Sequence, residues 1–250
     1  MKLKKKAKAT TVIGILLLIS LVLSAIYSAV RLCIAPSEIN PGEEYRKIKS
    51  DYLLMLTQCM LGLIVMMIPT LVKRKLRIVV PNTIVILYYV FLYCAIYLGE
   101  IRNFYYLIPH WDTVLHAFSG AMLGALGFVL VDLLNKDQSI SVKLSPFFVS
   151  LFAFCFALAF GALWEIYEYT FDWVLGLNMQ KHSTEIGEAL VGTSALSDTM
   201  KDLIFDAVAA LAVSVIGYFT NLKNISFKRL GEKKTDADSA GAEENAQSAK

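Results

Sequence analysis

Charged residues are scarce in this sequence, and the signatures of several protein classes are missing. Asp, Glu, Lys and Arg make up 18% of the 250 residues, whereas soluble domains contain roughly 25%. The four cysteines lack the CxxC spacing of a zinc or redox motif. Neither an HExxH zinc-protease motif nor a P-loop is present. These absences leave the class of protein to be decided by its apolar residues.

Long apolar runs dominate the chain. Hydrophobic residues make up 56% of it, and a membrane-spanning helix needs about 20 consecutive, mainly apolar residues. Helices are predicted because a chain in lipid must satisfy its backbone groups internally, and the alternation of a β-barrel is absent. We therefore predict an all-α, polytopic membrane bundle. Its six transmembrane helices are expected at about residues 11–32, 52–72, 78–98, 111–134, 146–170 and 202–222.

Basic residues predict the orientation of these helices. Most of the 24 Lys and Arg residues precede the first helix, follow the last one, or lie in the loops after the second and fourth. Since basic residues concentrate in cytoplasmic loops, both termini are predicted to be cytoplasmic. One alternative is that the first helix is a signal peptide cleaved near Ser28-Ala29, which would leave five helices.

Two regions are predicted from composition. Residues 1–230 form the polytopic membrane domain, and residues 231–250 are rich in Ala, Ser, Glu, Lys and Asp without apolar anchors. Such a composition is typical of disorder, so a disordered cytoplasmic tail is expected. Within the membrane domain, Gly120 and Gly124 form a GxxxG motif that Gly127 extends. We interpret this motif as a surface for close helix packing.

Ionisable residues collect on the fourth and fifth helices. A charge at the centre of a membrane helix costs about 2.5–3.5 kcal/mol on insertion scales, so such residues are candidates for function. Asp112 and His116 are four residues apart and therefore share one face of the fourth helix. On the fifth helix, Glu165, Glu168 and Asp172 form a single stripe. Three clustered carboxylates repel one another unless a cation or protons intervene.

The sixth helix adds a third acidic stripe. Asp198, Asp202 and Asp206 share one face if the helix begins near Ser197. Capping and the helix dipole are an alternative explanation for Asp198 and Asp202, though not for Asp206. In the predicted topology all three stripes lie toward the outer side of the membrane. The outer segment between the fifth and sixth helices, with His182, Glu185 and Glu188, is expected to cover them.

Acidic residues with a histidine on facing helices would suit an oxygen-rich site for Mg, Mn, Fe or Zn. The alternative is a buried hydrogen-bonded network that shares protons and holds the helices together. No organic cofactor is indicated, and a divalent metal ion is the cofactor to test. The candidate catalytic residues are Glu165 and Asp112. The candidate metal ligands are His116, Glu165, Glu168, Asp198, Asp202 and Asp206.

From about Pro109 to Gly217 the chain resembles the YjdF-like family of poorly characterised bacterial inner-membrane proteins. The resemblance rests on Trp111-Asp112 with His116 and Gly120, Trp164-Glu165 with Glu168, Gly192-Thr193, and Asp198-Thr199 with Asp202 and Asp206. It implies a multi-pass protein of the bacterial cytoplasmic membrane, and it names no reaction.

Three functions remain open at this point. The first is a membrane-embedded hydrolase or transferase that acts on a lipid or envelope substrate, with metal assistance and Glu165 as general base. The second is a cation or proton transporter, and the third is a structural or assembly protein. The expected partner is the lipid bilayer, and no nucleic acid is expected. Whether the chain is an enzyme is left undecided by the sequence.

Overall fold

The computed structural model of the chain describes the backbone of residues 2–38, 46–75, 80–136, 144–184 and 186–248. Side chains are described for residues 8–38, 46–75, 80–134, 144–184 and 186–220. Within these ranges the regular elements are helical. They are α1 (Lys2–Ile34), α2 (Lys49–Val65), α3 (Ile68–Lys75), α4 (Asn82–Leu92), a π-helix (Tyr93–Ile101), α5 (Phe104–Leu107), α6 (Trp111–Lys136), α7 (Pro146–Leu175) and α8 (Thr193–Ser248).

Six segments are long and apolar enough to cross a membrane, and this confirms the predicted all-α fold with six spans. They are Lys8–Ile34, Lys49–Lys75, Asn82–Ile101, Trp111–Leu134, Pro146–Leu175 and Thr193–Thr220. The sixth begins well before the predicted residue 202, because its polar first turns are also helical. Asp198 and Asp202 consequently lie inside a helix. The cytoplasmic location of the termini stays a prediction.

The C-terminal segment is part of α8, which continues to Ser248. Composition predicts disorder for residues 231–250. The division into a membrane domain and a disordered tail therefore stays a prediction.

The chain divides into two compact units. The first comprises residues 1–119 and 161–205, and the second comprises residues 120–160 and 206–250. In the first unit, α1 packs against α2, α4 and the π-helix. The π-helix also packs against α2, and Gly62 of α2 allows this close approach, since a Cβ atom there would lie 2.5 Å from the Ile96 Cδ1 atom. The buried core between these helices consists of Leu17, Leu21, Cys59, Val85, Tyr89, Leu92 and Ile96.

The π-helix continues α4 to the end of the third span. Its last turn is closed by the Arg102 N–H, which donates to the Tyr97 carbonyl at 2.9 Å, five residues earlier. The Trp111 indole N–H donates to the Cys94 carbonyl at 3.3 Å. π-helices are rare in proteins, and those that occur are often found at functional sites. Here it fixes the start of α6, and with it Asp112, against the third span.

Close approach of backbones characterises the second unit. A Cβ atom at Gly120 would lie 2.5 Å from the Asp206 carbonyl oxygen, and one at Gly127 would lie 2.7 Å from the Ala153 Cα atom. Gly124 has more room, because its nearest neighbour would be the Val213 Cγ1 atom at 3.5 Å. Small residues at such points allow membrane helices to pack by van der Waals contact. The GxxxG motif and Gly127 thus lie where α6 meets α8 and α7.

We predict that Gly127→Ala destabilises the protein, because the new methyl group would overlap backbone atoms of α7 that cannot rotate away. The expected loss is about 1–3 kcal/mol, the usual cost of overpacking. The matched control is Gly124→Ala, whose methyl group would make ordinary contacts. Thermal unfolding of the detergent-solubilised variants measures the difference. Equal midpoints for the two variants would contradict the packing role of Gly127.

Candidate functional site

Asp112, His116 and Asp202 converge in the first unit. One turn of α6 separates Asp112 from His116, and the Asp112 Oδ1 atom lies 3.7 Å from the His116 Nε2 atom. From α8, the Asp202 Oδ2 atom reaches the same nitrogen at 3.7 Å. His116 and Asp202 are buried, and Asp112 is partly exposed. The structure therefore brings the candidate catalytic residue Asp112 together with two candidate metal ligands, His116 on the same helix and Asp202 on a different one.

The spacing of these three groups is close to that of a metal shell. One ligand atom from each residue lies within 4.8 Å of the other two. Two atoms that share a divalent ion at about 2.1 Å are roughly 4.2 Å apart when they lie on opposite sides of it, and about 3.0 Å apart when they are adjacent ligands. Since both carboxylate oxygens lie 3.7 Å from the His116 Nε2 atom, the side chains would have to move together by roughly half an ångström to one ångström to share an ion. The set contains two carboxylates and one imidazole, which suit several divalent metals.

The Lys181 ammonium lies within the same cluster. It donates a hydrogen bond to Asp112 Oδ2 in a salt bridge, and its Nζ atom lies 3.4 Å from the Asp198 Oδ1 atom. Burial lowers the pKa of Lys181, but the negative charges of Asp112 and Asp198 raise it further, so its pKa is above the ordinary value. Lys181 is therefore a permanent cation that links the first turns of α6 and α8.

Glu165 of α7 faces the cluster from a third helix. It is 5% exposed, and its Oε2 atom accepts a hydrogen bond of 3.4 Å from Gln180 Nε2. Gln180 also donates to the Thr199 hydroxyl at 2.8 Å, which connects α7 to α8. The Glu165 Oε1 atom is buried and has no hydrogen-bond partner among the described residues. A buried carboxylate oxygen in this condition is costly and needs a proton, a water molecule or a cation.

Glu168 is buried one turn beyond Glu165. Its charge interacts with those of Glu165, Asp112 and Lys181. The first two residues of the predicted acidic stripe of α7, Glu165 and Glu168, thus face the cluster. Among the described residues, the ligand atoms that meet closely are nevertheless those of Asp112, His116 and Asp202.

Asp172, the third member of the α7 stripe, has a different role. Its carboxylate accepts hydrogen bonds from the backbone N–H groups of Met179 at 2.7 Å and Gln180 at 3.0 Å. The His182 Nδ1 atom lies 3.5 Å from the same carboxylate. Asp172 thereby holds the segment after α7 in place, and this segment delivers Gln180 and Lys181 to the cluster.

The loop between α7 and α8 is ordered by its own hydrogen bonds. The Asn178 side chain donates to the Ser183 carbonyl at 2.8 Å and accepts from the Ser183 N–H at 3.0 Å. Lys181 has a positive φ of 46°, which is uncommon for a residue with a side chain. The predicted cover residues His182 and Glu188 are exposed, and Glu185 lies outside the described residues. The loop instead reaches the cluster through Gln180 and Lys181.

Tyr105 and Glu100 were missed by sequence reasoning. The Lys181 Nζ atom lies 5.1 Å from the centroid of the Tyr105 ring, a cation–π distance. Burial, together with the charges of Asp112 and Glu100, raises the pKa of Tyr105 well above its ordinary value. In the sequence, the run Phe104-Tyr105-Tyr106 is typical of an interfacial aromatic belt, which gives no indication that Tyr105 contacts Lys181. Gly99 makes room for it, since a Cβ atom there would lie 2.5 Å from the Tyr105 ring.

One signal for Lys181 was available in the sequence. It is the only Lys or Arg between residues 176 and 192, in a segment that connects two acidic helices. An isolated cation beside several acids is a candidate for pairing with them. Of the remaining predicted ligands, Asp198 pairs with Lys181. Asp206 is buried in the second unit, and its part in a metal site stays a prediction.

We predict that Lys181→Met lowers the stability of the protein, because the partly exposed Asp112 and Asp198 would lose the cation that compensates their charges. Breaking a fully buried ion pair costs about 3–5 kcal/mol, and a smaller loss is expected here because solvent screens part of the interaction. Since the pKa of Lys181 is raised, its stabilising effect is fully present below the ordinary pKa of 10.5 and is lost as the pH rises through the folded value. Thermal unfolding at neutral pH measures the change, with the exposed Lys201→Met as control. Equal midpoints for both variants would show that Lys181 is not needed to compensate the acids.

Comparison with known proteins places the chain among membrane proteins without a described activity. An uncharacterised protein of Thermotoga maritima is 33% identical over 123 residues, which make up 48% of this chain and 54% of that protein. The chain thus matches about half the length of this relative. No solved structure matches the chain. The family described as "Predicted membrane protein (DUF2238)" matches residues 9–223, an assignment with which the resemblance to the YjdF-like family is compatible. The chain belongs to this DUF2238 family of membrane proteins.

Proposed function

We propose that the chain binds a divalent metal ion through Asp112, His116 and Asp202. The observation that carries this proposal is the convergence of their three ligand atoms within 4.8 Å from two helices. The charge of the surroundings supports it. Glu165, Glu168 and Asp198 add further carboxylates, whereas Lys181 supplies one permanent positive charge. Such an excess of acids in a membrane bundle favours the binding of a cation.

We further propose that the metal serves a hydrolytic or group-transfer reaction. A bound divalent ion supplies a polarised substrate oxygen or an activated water molecule. Glu165 suits the role of general base, because its buried Oε1 atom is without a hydrogen-bond partner among the described residues. Asp112 would join the metal through one oxygen while Lys181 holds the other. Gln180 would orient Glu165 through its second oxygen.

The substrate class follows from the orientation that the basic residues predict. The site residues lie near the start of α6, in the last turns of α7 and at the start of α8. If both termini are cytoplasmic, these ends face the outer side of the membrane. In a bacterial cytoplasmic membrane this location favours a lipid or envelope substrate. The proposal is therefore a metal-dependent membrane hydrolase or transferase of the outer leaflet.

A second candidate is a structural ion-pair network. The salt bridges of Lys181 favour it, because they already join α6, the loop after α7 and α8 without a metal. Buried networks of this kind hold helices in a defined arrangement. In this case the acids would stabilise the bundle, and His116 would be one more polar member of the network. The two candidates differ in whether a metal binds.

We predict that the purified protein binds about one divalent metal ion per chain, and that His116→Ala and Asp202→Asn abolish this binding. Loss of a ligand should weaken binding by more than the roughly 10–100-fold that loss of a supporting residue causes. Elemental analysis after equilibration with Mg, Mn, Fe or Zn measures the metal content. The control is His182→Ala, which removes an exposed histidine of the loop. Folded variants that retain the wild-type metal content, or a wild type without metal, would favour the structural network.

We predict that Glu165→Gln keeps the metal but abolishes the activity, because an amide cannot accept the proton. In cells that lack the native gene, the variant should give the same altered lipid profile as His116→Ala. The matched control is Glu188→Gln, which changes an exposed acid of the loop. A wild-type lipid profile for Glu165→Gln, alongside an altered one for His116→Ala, would argue against Glu165 as the base.

A further inference from the structure

A groove with a volume of about 740 Å³ lies in the first unit, between α1 and the helix formed by α4 and the π-helix. Its lining begins with apolar residues of α1, including Ile13 and Leu16. Toward the other end the lining includes Tyr93, Tyr97 and Arg102. The groove therefore combines an apolar part with an aromatic and cationic part, and the proposed metal site has no residue in common with it.

The groove is long enough to extend over the hydrocarbon part of one bilayer leaflet. Its lining on α1 runs from Ile13 to Tyr27, and a rise of 1.5 Å per residue makes this stretch roughly 21 Å long. Half of a hydrocarbon core is about 15 Å thick. Gly14 contacts the Tyr89 ring, where a Cβ atom would lie 3.0 Å from the Cε2 atom. Because the first and third of successive spans run in the same direction, Tyr27 and Arg102 lie at the same end.

Arg102 is placed to meet a lipid headgroup. It follows directly after the third span, Asn82–Ile101, and its side chain is exposed. A guanidinium remains charged at all relevant pH values and binds phosphate through two parallel hydrogen bonds. Tyr93 stacks on Tyr97 with ring centroids 4.9 Å apart, and both rings line the groove together with Arg102.

A second cation makes this end of the groove more positive. The Arg31 Nε atom donates to the Tyr52 hydroxyl at 3.0 Å, and the guanidinium lies 5.1 Å from the centroid of the Tyr52 ring. Tyr27, which lines the groove, packs edge-on against the same ring at 6.1 Å. Two arginines near one end favour a ligand with net negative charge over a zwitterionic one.

We propose that this groove binds one anionic phospholipid, with its phosphate at Arg102 and one acyl chain along the apolar part toward Ile13. The lipid would fill the space between the first and third spans and stabilise their packing. The exposed apolar residues around the groove, among them Leu16 and Leu23, would contact the same chain. This site is independent of the proposed metal centre, so the two can be tested separately.

The test is a titration of the detergent-solubilised full-length protein with phosphatidylglycerol or phosphatidylcholine of identical acyl chains, followed by native mass spectrometry. We expect one phosphatidylglycerol per chain to bind in preference to phosphatidylcholine. In Arg102→Gln this preference should fall roughly fivefold, the effect of one basic residue near a membrane surface. Arg74→Gln is the matched control, because it removes an exposed arginine at the end of α3 that does not line the groove.

A second variant tests the acyl-chain part of the groove. Ser20 lines the groove, and its hydroxyl donates to the Leu17 carbonyl at 2.8 Å. Ser20→Phe should fill the groove and reduce the binding of both lipids, and Ser20→Leu should reduce it less. Thermal unfolding confirms that each variant is folded. Equal binding of the two lipids to the wild type, or an equal loss in Arg102→Gln and Arg74→Gln, would overturn the proposal.

Discussion

Compensation of buried negative charge is the constraint on which the site in this protein depends. Asp112, Asp202, Glu165 and Glu168 lie toward the ends of apolar segments long enough to cross a membrane, and they are buried or partly buried there, so their negative charges are costly unless they are compensated. Lys181 is the cation that the chain itself supplies. Because its partners lie on α6 and α8, the same interaction that lowers the electrostatic cost also fixes the distance between two helices. The positions of His116 and Asp202 follow from that distance.

The loop after α7 is what makes this compensation possible. Lys181 reaches the acids only because Asp172 binds the backbone of Met179 and Gln180. Asp172, the third residue of the acidic stripe, therefore binds the backbone of the loop and does not join the cluster. A loop held in this way can also place Gln180 between Glu165 and Thr199. The order of the loop and the geometry of the acids are consequently parts of one arrangement.

Much of the fold could be predicted from the sequence, because span length and apolar composition are properties of continuous segments. The pairing of Asp112 with His116 was predictable for the same reason, since the spacing within one helix determines which side chains share a face. The early start of α8 was harder to predict. Its first turns contain polar residues such as Asp198 and Thr199, which satisfy their hydrogen bonds within the folded site.

The contribution of Lys181 and Tyr105 could not be derived from spacing. Lys181 lies in a loop, and its position depends on a positive φ and on hydrogen bonds to Asp172 and Asn178. Tyr105 faces the cluster because Gly99 leaves space for its ring. Both features result from tertiary contacts between residues that are far apart in sequence. Periodicity predicts the face of a helix, but it contains no information on how a loop folds back over that face.

If the cluster binds a metal ion, as proposed above, the tethered ammonium of Lys181 affects its selectivity between ions. A group attached to the chain competes with free ions at an effective concentration of millimolar or higher. Any cation that enters the cluster from solution must therefore displace this internal competitor from Asp112 or share the carboxylate with it. A monovalent ion offers no more charge than the ammonium it would replace, whereas a divalent ion offers twice as much. Lys181 would thus make the cluster selective for divalent ions over the more abundant monovalent ions.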